Sequence, residues 1–373
     1  MHPEFPQDPL IHLNHAAVGP WPLRTAKAVA AFARENVATG SLRYNDWLAV
    51  EQETRALAGQ LLGAASASDV AFVKNTSEAL SIVAFGLRWR AGQNIVIPSG
   101  EFPSNRIVWM KAAERFDLEV REVELPSDEP EAALLAACDR RTALLSCSAV
   151  QFARGLRLDL HRLGTTLRRQ GVLFCVDAIQ HLGALPFDVT TAHADFVMAD
   201  AHKWLLAPEG IALFHVRPDL REQLVLQEYG WHMLADAGDY SHYTLTDADD
   251  ARRFEPGSPN MLGIHALRAS LSLLLETGID TIAAEIESRW QHLYAGLSRL
   301  GCPVLTPPDA RRHAGILTFL PARGDTESVF RTLQQHRVLC AQRGGGIRFS
   351  PHFYLPWDAL DQALAAVKEG ISQ

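Results

Sequence analysis

Between residues 70 and 216 short apolar runs alternate with helix-patterned segments, and this alternation restricts the chain to one class of fold. VAFV (70–73), NIVIP from Asn94, LEVREVEL (118–125), TALLSCSAV (142–150), VLFCVDA (172–178), DFVMAD (195–200) and GIALFHV (210–216) read as strands. Helix patterns open between them at TSEAL, PSNRIVWMKAAERF, Pro130 and about residue 159. Strands apolar on both faces and separated by helices pair in parallel and are covered on both sides. The expected architecture is α/β with a mainly parallel central sheet.

Two helix patterns, at about 22–38 and 47–63, precede this run. After Val216 the rhythm breaks into an irregular stretch reaching about Asn260. Such a stretch in a compact protein is usually functional, and Tyr229, Trp231 and His232 in it are candidates to line a substrate side-chain pocket. Helix patterns at 259–277 and 279–300, AGILTFLP, a helix from about 325, RVLCA, IRFSPH and a last helix from Pro356 then make a smaller α+β set. The predicted division is a large domain over 15–258 and a small one over 259–373, with residues 1–14 packing near the latter.

With 373 residues, 47% hydrophobic and 21% charged, the chain has room for both units. Its formal charge of -8 and its scattered basic pairs, such as Arg168-Arg169 and Arg311-Arg312, argue against a nucleic-acid partner. The start, MHPEFPQDPL, lacks a signal pattern, and no apolar run nears the roughly 18 residues of a membrane span. A cytoplasmic location without membrane attachment is expected. Five cysteines without CxxC spacing suit reduced thiols. His12 and His15 are spaced like a ligand pair, but no Cys or acidic cluster accompanies them, so no metal is expected.

Ligands of open α/β sheets collect beyond the carboxyl ends of the strands. The polar residues there are Asn75-Thr76-Ser77, Glu101-Phe102, Gln151, Asp177 with Gln180, and Asp200 to Lys203. Thr76 and Ser77 open a helix after a strand, which makes either an anion cradle or a plain N-cap. No GxGxxG follows a strand, and Gly344-Gly345-Gly346 precedes one, as a hairpin turn would. Asp177 ends an apolar strand, where a carboxylate is costly unless it meets a cation or donors. A protonated pyridine nitrogen is one such cation. Most lysines are solvated, but Lys203 lies 26 residues past Asp177, beyond the next strand, so both side chains can reach one cleft. A carboxylate for a ring nitrogen, an imine-forming lysine and a helix N-terminus for phosphate are what pyridoxal 5'-phosphate requires.

FVKNTSEAL, EFPSN, VDAIQHLG, ADAHKWLLAPEG, FEPGSPN and IRFSPHFY, in that order, resemble the class V branch of fold-type I pyridoxal-phosphate enzymes. That branch contains cysteine desulfurases, cystine lyases, kynureninases and isopenicillin N epimerase-like proteins. The likeness runs from about residue 10 to the end. It implies the fold-type I transferase fold, with the cofactor held as a Schiff base on Lys203, which later moves protons. Asp177 would keep the pyridine nitrogen protonated, and Gln180 would hydrogen-bond the ring hydroxyl. Thr76, the amides around Ser77 and His202 would bind phosphate. Phe102 falls where the family stacks an aromatic ring, usually His in desulfurases. Gln151 would contact the ring hydroxyl or the substrate. Arg348 matches the substrate-carboxylate arginine, and Asn14 an N-terminal segment lining the substrate pocket. Ser258 and Asn260 match a segment that reaches the neighbouring subunit's phosphate, which implies a homodimer with shared active sites.

Two positions depart from the pattern. Asp200 stands where relatives have Ser or Thr, and a carboxylate repels phosphate, so it is expected to turn toward His202. Cys340 lies eight positions before Arg348 in strand-like VLCA, unlike a desulfurase cysteine on a mobile loop. The expected activity is that of a pyridoxal-phosphate-dependent enzyme acting on an amino acid through an external aldimine and Cα deprotonation, either aminotransferase-like or a cysteine/cystine carbon–sulfur β-lyase. A desulfurase, an epimerase and a non-catalytic cofactor-binding protein remain alternatives.

Overall fold

A computed structural model of the chain describes residues 2–6, 10–126, 128–242 and 244–372. In chain order the elements are β1 (Ile11–His12), α1 (Leu23–Thr39), α2 (Tyr44–Leu62), β2 (Val70–Val73), α3 (Thr76–Gly86), β3 (Asn94–Pro98), α4 (Ser104–Phe116), β4 (Glu119–Val123), α5 (Pro130–Ala136) and β5 (Thr142–Ser148). There follow α6 (Leu160–Gln170), β6 (Leu173–Asp177), α7 (Val189–Ala192), β7 (Phe196–Asp200), β8 (Ala212–Val216), α8 (Met261–Thr277) and α9 (Ile279–Arg299). The chain closes with β9 (Leu317–Phe319), α10 (Thr326–Gln335), β10 (Val338–Leu339), β11 (Ala341–Arg343), β12 (Gly346–Phe349) and α11 (Trp357–Gly370).

Seven strands form the central sheet in the order β2-β8-β7-β6-β5-β3-β4. From β7 to β4 every pairing is parallel. β8 is antiparallel to both of its neighbours. The link from β7 to β8 spans only residues 201–211, too short for a parallel crossover, so the chain must turn straight back. Alternate side chains feed two apolar layers. Val96, Leu145, Phe174, Val176, Val197 and Ala199 face one layer, and Ile95, Leu144, Cys175, Phe196 and Met198 the other. Helices α2, α5, α6 and α8 cover the first and α3 and α4 the second. Each fully buried Val, Leu or Phe contributes roughly 1.5–3 kcal/mol. The unbroken apolar runs of the sequence are the signature of this two-sided burial.

Local signals agree with the packing. α6 starts where the Asp159 carboxylate accepts from the Arg162 amide, buries Leu160, Leu163 and Leu167, and stops at Gly171 with φ 70°. β11, β12 and β9 make a small antiparallel sheet, and β1 pairs in parallel with β10. Ile11 and Leu13 thereby share a core with Trp290, Phe319 and Phe349. Helix α8 packs against α1 and α2, so the boundary expected at 258/259 cuts through one helical layer. The single strand expected over RVLCA is broken at Cys340, because Val338–Leu339 pair with the N-terminal strand while Ala341–Arg343 form a hairpin with β12. Among the described residues no helix is long and apolar enough to cross a membrane.

Arg55 is buried on α2, where its guanidinium meets Glu51 at 2.6 Å and Glu255 at 2.7 Å and donates to the Val70 carbonyl. Glu255 also accepts from the Phe72 amide. The cluster ties α2, β2 and the segment before α8 together. Glu51, His232 and Glu255 are close enough to hold an ion, but Arg55 already supplies their positive charge. Arg55→Ala leaves two buried carboxylates unpaired, so a loss of about 3–5 kcal/mol is expected. Urea titration would read it as a lower midpoint at unchanged slope.

Candidate active site

At the carboxyl edge of the sheet the last residues of neighbouring strands stand side by side, with Ser148 of β5 in register with Asp177 of β6. A cavity of about 270 Å³ opens there. Asp177 and Lys203 line it together with Thr76, Ser77, Phe102, Gln180, His202 and Arg348. Asp200, Ser148, Phe152 and Arg343 also belong to its wall.

Lys203 sits on the tight β7–β8 link. Trp204 beside it is fully buried and donates through Nε1 to Gln180 Oε1 at 2.8 Å. The Gly19 amide bonds the His202 carbonyl at 2.8 Å, and a Cβ on Gly19 would lie 2.4 Å from the Lys203 carbonyl oxygen. Both neighbours of Lys203 are therefore anchored, which leaves its side chain one direction, into the cavity. It is 8% exposed. Burial pushes its ammonium down to about 8, with Asp177 opposing and Arg348 adding to the fall. Burial likewise pushes the Asp177 carboxyl up to about 6, opposed by the Ile179 amide and by Lys203.

Helix α3 begins beside this pair. Asn75 caps it by accepting from the Glu78 amide at 2.9 Å, and the Glu78 carboxylate accepts from the Lys74 amide. The amides of Thr76 and Ser77, at the first turn, have no partner within the helix. Thr76 Oγ1 accepts from the Asp200 amide at 3.2 Å, so its own proton remains to donate. The cap and the anion cradle are thus compatible, since Asn75 caps while the next two residues face the cavity. Asp200 turns to His202, with Oδ1 2.9 Å from Nδ1, although the two atoms are not aligned as a hydrogen bond.

Gln180 has a fixed amide orientation, because its oxygen accepts from Trp204 while Nε2 donates to the Ala16 carbonyl at 2.9 Å. One N–H remains. Phe102 places its ring 5.5 Å from Lys203 Nζ and edge-on to Phe152. Arg348 is almost fully buried, bonds the Phe152 carbonyl at 2.6 Å, and keeps Nε without a partner. Burial lowers its guanidinium to about 10.

Several expected residues lie elsewhere. Gln151 spends its amide on the Gly100 carbonyl and on the amides of Ala153 and Arg154, so it shapes the cavity wall without facing it. Asn14 supports Arg348 through a long 3.5 Å contact. Asn260 caps α8 and donates to the Gly210 carbonyl, and with Ser258 it lines a separate surface hollow. Tyr229 and Trp231 line another hollow, and His232 is buried against Glu255. None of these joins Lys203 within one chain. Cys340 is buried away from the cavity, and burial raises its thiol to about 12.

Ser148 and Arg343 are not singled out from sequence, and Glu101 is placed there at the strand ends without a role. Glu101 is buried and accepts from both the amide and the hydroxyl of Ser148, and burial raises it to about 7. Arg343 could have been found by parity. In a hairpin turning at the Gly triplet it leaves the same face as Arg348.

A family model described as Aminotransferase class-V matches residues 11–348. A probable cysteine desulfurase of Methanothermobacter thermautotrophicus is 28% identical, over 92% of this chain and 90% of its own. An isopenicillin N epimerase of Streptomyces clavuligerus is also 28% identical, over 96% and 94%. A solved complex of the cystine C–S lyase C-DES with its reaction product cysteine persulfide superposes with a TM-score of 0.90, at 20% identity over 96% of this chain and 97% of that one. At that identity the likeness concerns the fold, and it is the α/β fold with a mostly parallel sheet that the strand pattern predicts.

The Lys203–Asp177 pair has a measurable consequence. In cofactor-free protein, competitive reductive methylation should titrate Lys203 near 8, well below the exposed lysines. Asp177→Asn removes an attraction for the ammonium and should lower that value further; an unchanged or higher value would show that the two groups do not interact.

Proposed function

Because this chain belongs to the aminotransferase class-V family of pyridoxal-phosphate-dependent enzymes, we propose that it acts on the Cα and side chain of an amino acid, with carbon–sulfur β-elimination as the reaction. One observation carries the choice of reaction. Among the described residues no cysteine lines the Lys203 cavity, and Cys340 is a buried thiol at a strand junction. A persulfide-forming desulfurase needs a thiolate that travels to the substrate sulfur, and burial opposes both travel and ionisation.

The residues fit the cofactor. The free first-turn amides of α3 and the Thr76 hydroxyl suit a phosphate, with His202 alongside. Asp177 suits a protonated ring nitrogen, the spare N–H of Gln180 a ring oxygen, and Phe102 a ring face. When bound, the cofactor supplies an electron sink for the bond breaking at Cα. Lys203, whose ammonium is pushed down to about 8, would take the Cα proton and could pass it to the departing sulfur as the Cβ–S bond breaks. The partnerless Nε of Arg348 suits the substrate carboxylate as half of a side-on fork. Asp177 and the carboxylate-binding arginine together orient the substrate over Lys203.

The chain is proposed to act as a cytoplasmic homodimer. Its five cysteines are all unpaired. Tyr229, Tyr240 and Leu245 are exposed on the irregular 217–258 segment, and Ser258 and Asn260 lie outside their own cavity, where a second copy can take them up.

Borohydride reduction of the holoenzyme followed by peptide mapping should place the pyridoxyl label on Lys203, whereas a label on Lys74 or Lys111 would remove it from the site. Cys340→Ser should leave turnover within a few-fold of wild type while Arg348→Ala raises KM strongly. Loss of sulfur release in Cys340→Ser, with persulfide trapped on Cys340, would make the protein a desulfurase instead.

A further inference from the structure

We infer that the Lys203 cavity is built for an amino acid whose side chain carries a second anionic group, received by Arg343. This rests on the proposed function and adds the substrate class. Cross-strand partners share a face of a hairpin, and so do alternate residues along a strand. Arg348 pairs with Ala341, two residues before Arg343, so both arginines leave the same face. Both line the cavity, and the charge of Arg343 is felt at Arg348.

Arg343 is held in place. The turn beyond it passes through Gly344 at φ 61°, whose Cβ would lie 3.1 Å from both the Ala153 carbonyl oxygen and Arg154 Cγ. The hairpin is thus seated on the loop 151–154. That loop is itself fixed by Gln151, by Thr318 Oγ1 donating to the Ala153 carbonyl at 2.6 Å, and by Arg348 on the Phe152 carbonyl. Yet among the described residues the guanidinium of Arg343 bonds only the carbonyl of its neighbour Gln342, and no carboxylate pairs with it. The α-carboxylate of a substrate needs one arginine, and Arg348 is the buried one. Arg343, exposed at the mouth, is left for an anion further along the side chain.

The test is a spectrophotometric titration of the holoenzyme with S-carboxymethyl-L-cysteine and its neutral isostere S-carbamoylmethyl-L-cysteine, following the cofactor absorbance. The carboxylate is expected to bind tighter by on the order of tenfold, as a charge-assisted bond gives. Because Arg343 is exposed, that ratio should shrink with added salt. Arg343→Gln should bring it near one, and Arg343→Lys should keep part of it. Equal affinities in the parent protein, or a preference that survives Arg343→Gln, would overturn the inference and leave the proposed function standing. An absorbance that responds to no amino acid would overturn both.

Discussion

The structure depends on one electrostatic constraint, the burial of an ammonium and a carboxylate at the open edge of an apolar sheet. Burial disfavours the charge of both groups, pulling the lysine down to about 8 and pushing the aspartate up to about 6. Opposed shifts of two groups in one cleft are the pattern of a functional site. Their surroundings hold them so. Trp204 ties the β7–β8 link to Gln180, and Gly19 lets the N-terminal segment approach it closely.

The chain's two ends serve the same edge. β1 joins the C-terminal strands, and an isolated bridge links Asn14 to Ser350, two residues past Arg348. His15 binds the Ser350 carbonyl and the Tyr354 hydroxyl, while Ala16 receives Gln180. A single run of the first twenty residues therefore touches the Gln180 amide, the Lys203 link and the Arg348 strand. The run thereby joins residues that lie 164 to 339 positions away from it in sequence.

The relatives include desulfurases and an epimerase, and they share the fold, so the fold does not select the reaction. The selection is made by what surrounds the cavity. Here a cysteine is withdrawn into a strand junction, the Phe102 ring stands 5.5 Å from Lys203 Nζ, and two arginines leave one face of a hairpin. These features support the proposed elimination of a side-chain group without storage of its sulfur on the enzyme.

The strands, their order along the chain and the set of polar residues past their ends were determined by sequence alone, because two-sided burial demands continuous apolar runs and ligands gather where those runs stop. Asp177, Lys203, Thr76 and Phe102 were legible for that reason. What tertiary structure decided were matters of direction and partnership. Gln151 has the right position but spends its amide on neighbouring backbone, and Asn260 spends its own on a helix cap. Strand RVLCA splits because its halves find different partners, and the aromatic segment after Val216 folds away from the lysine of its own chain. Arg343 acquires significance only when the hairpin closes and brings it to the face of Arg348. Hydrogen bonds to distant backbone and the parity of a paired strand are set by contacts far apart in sequence, and no local pattern encodes them.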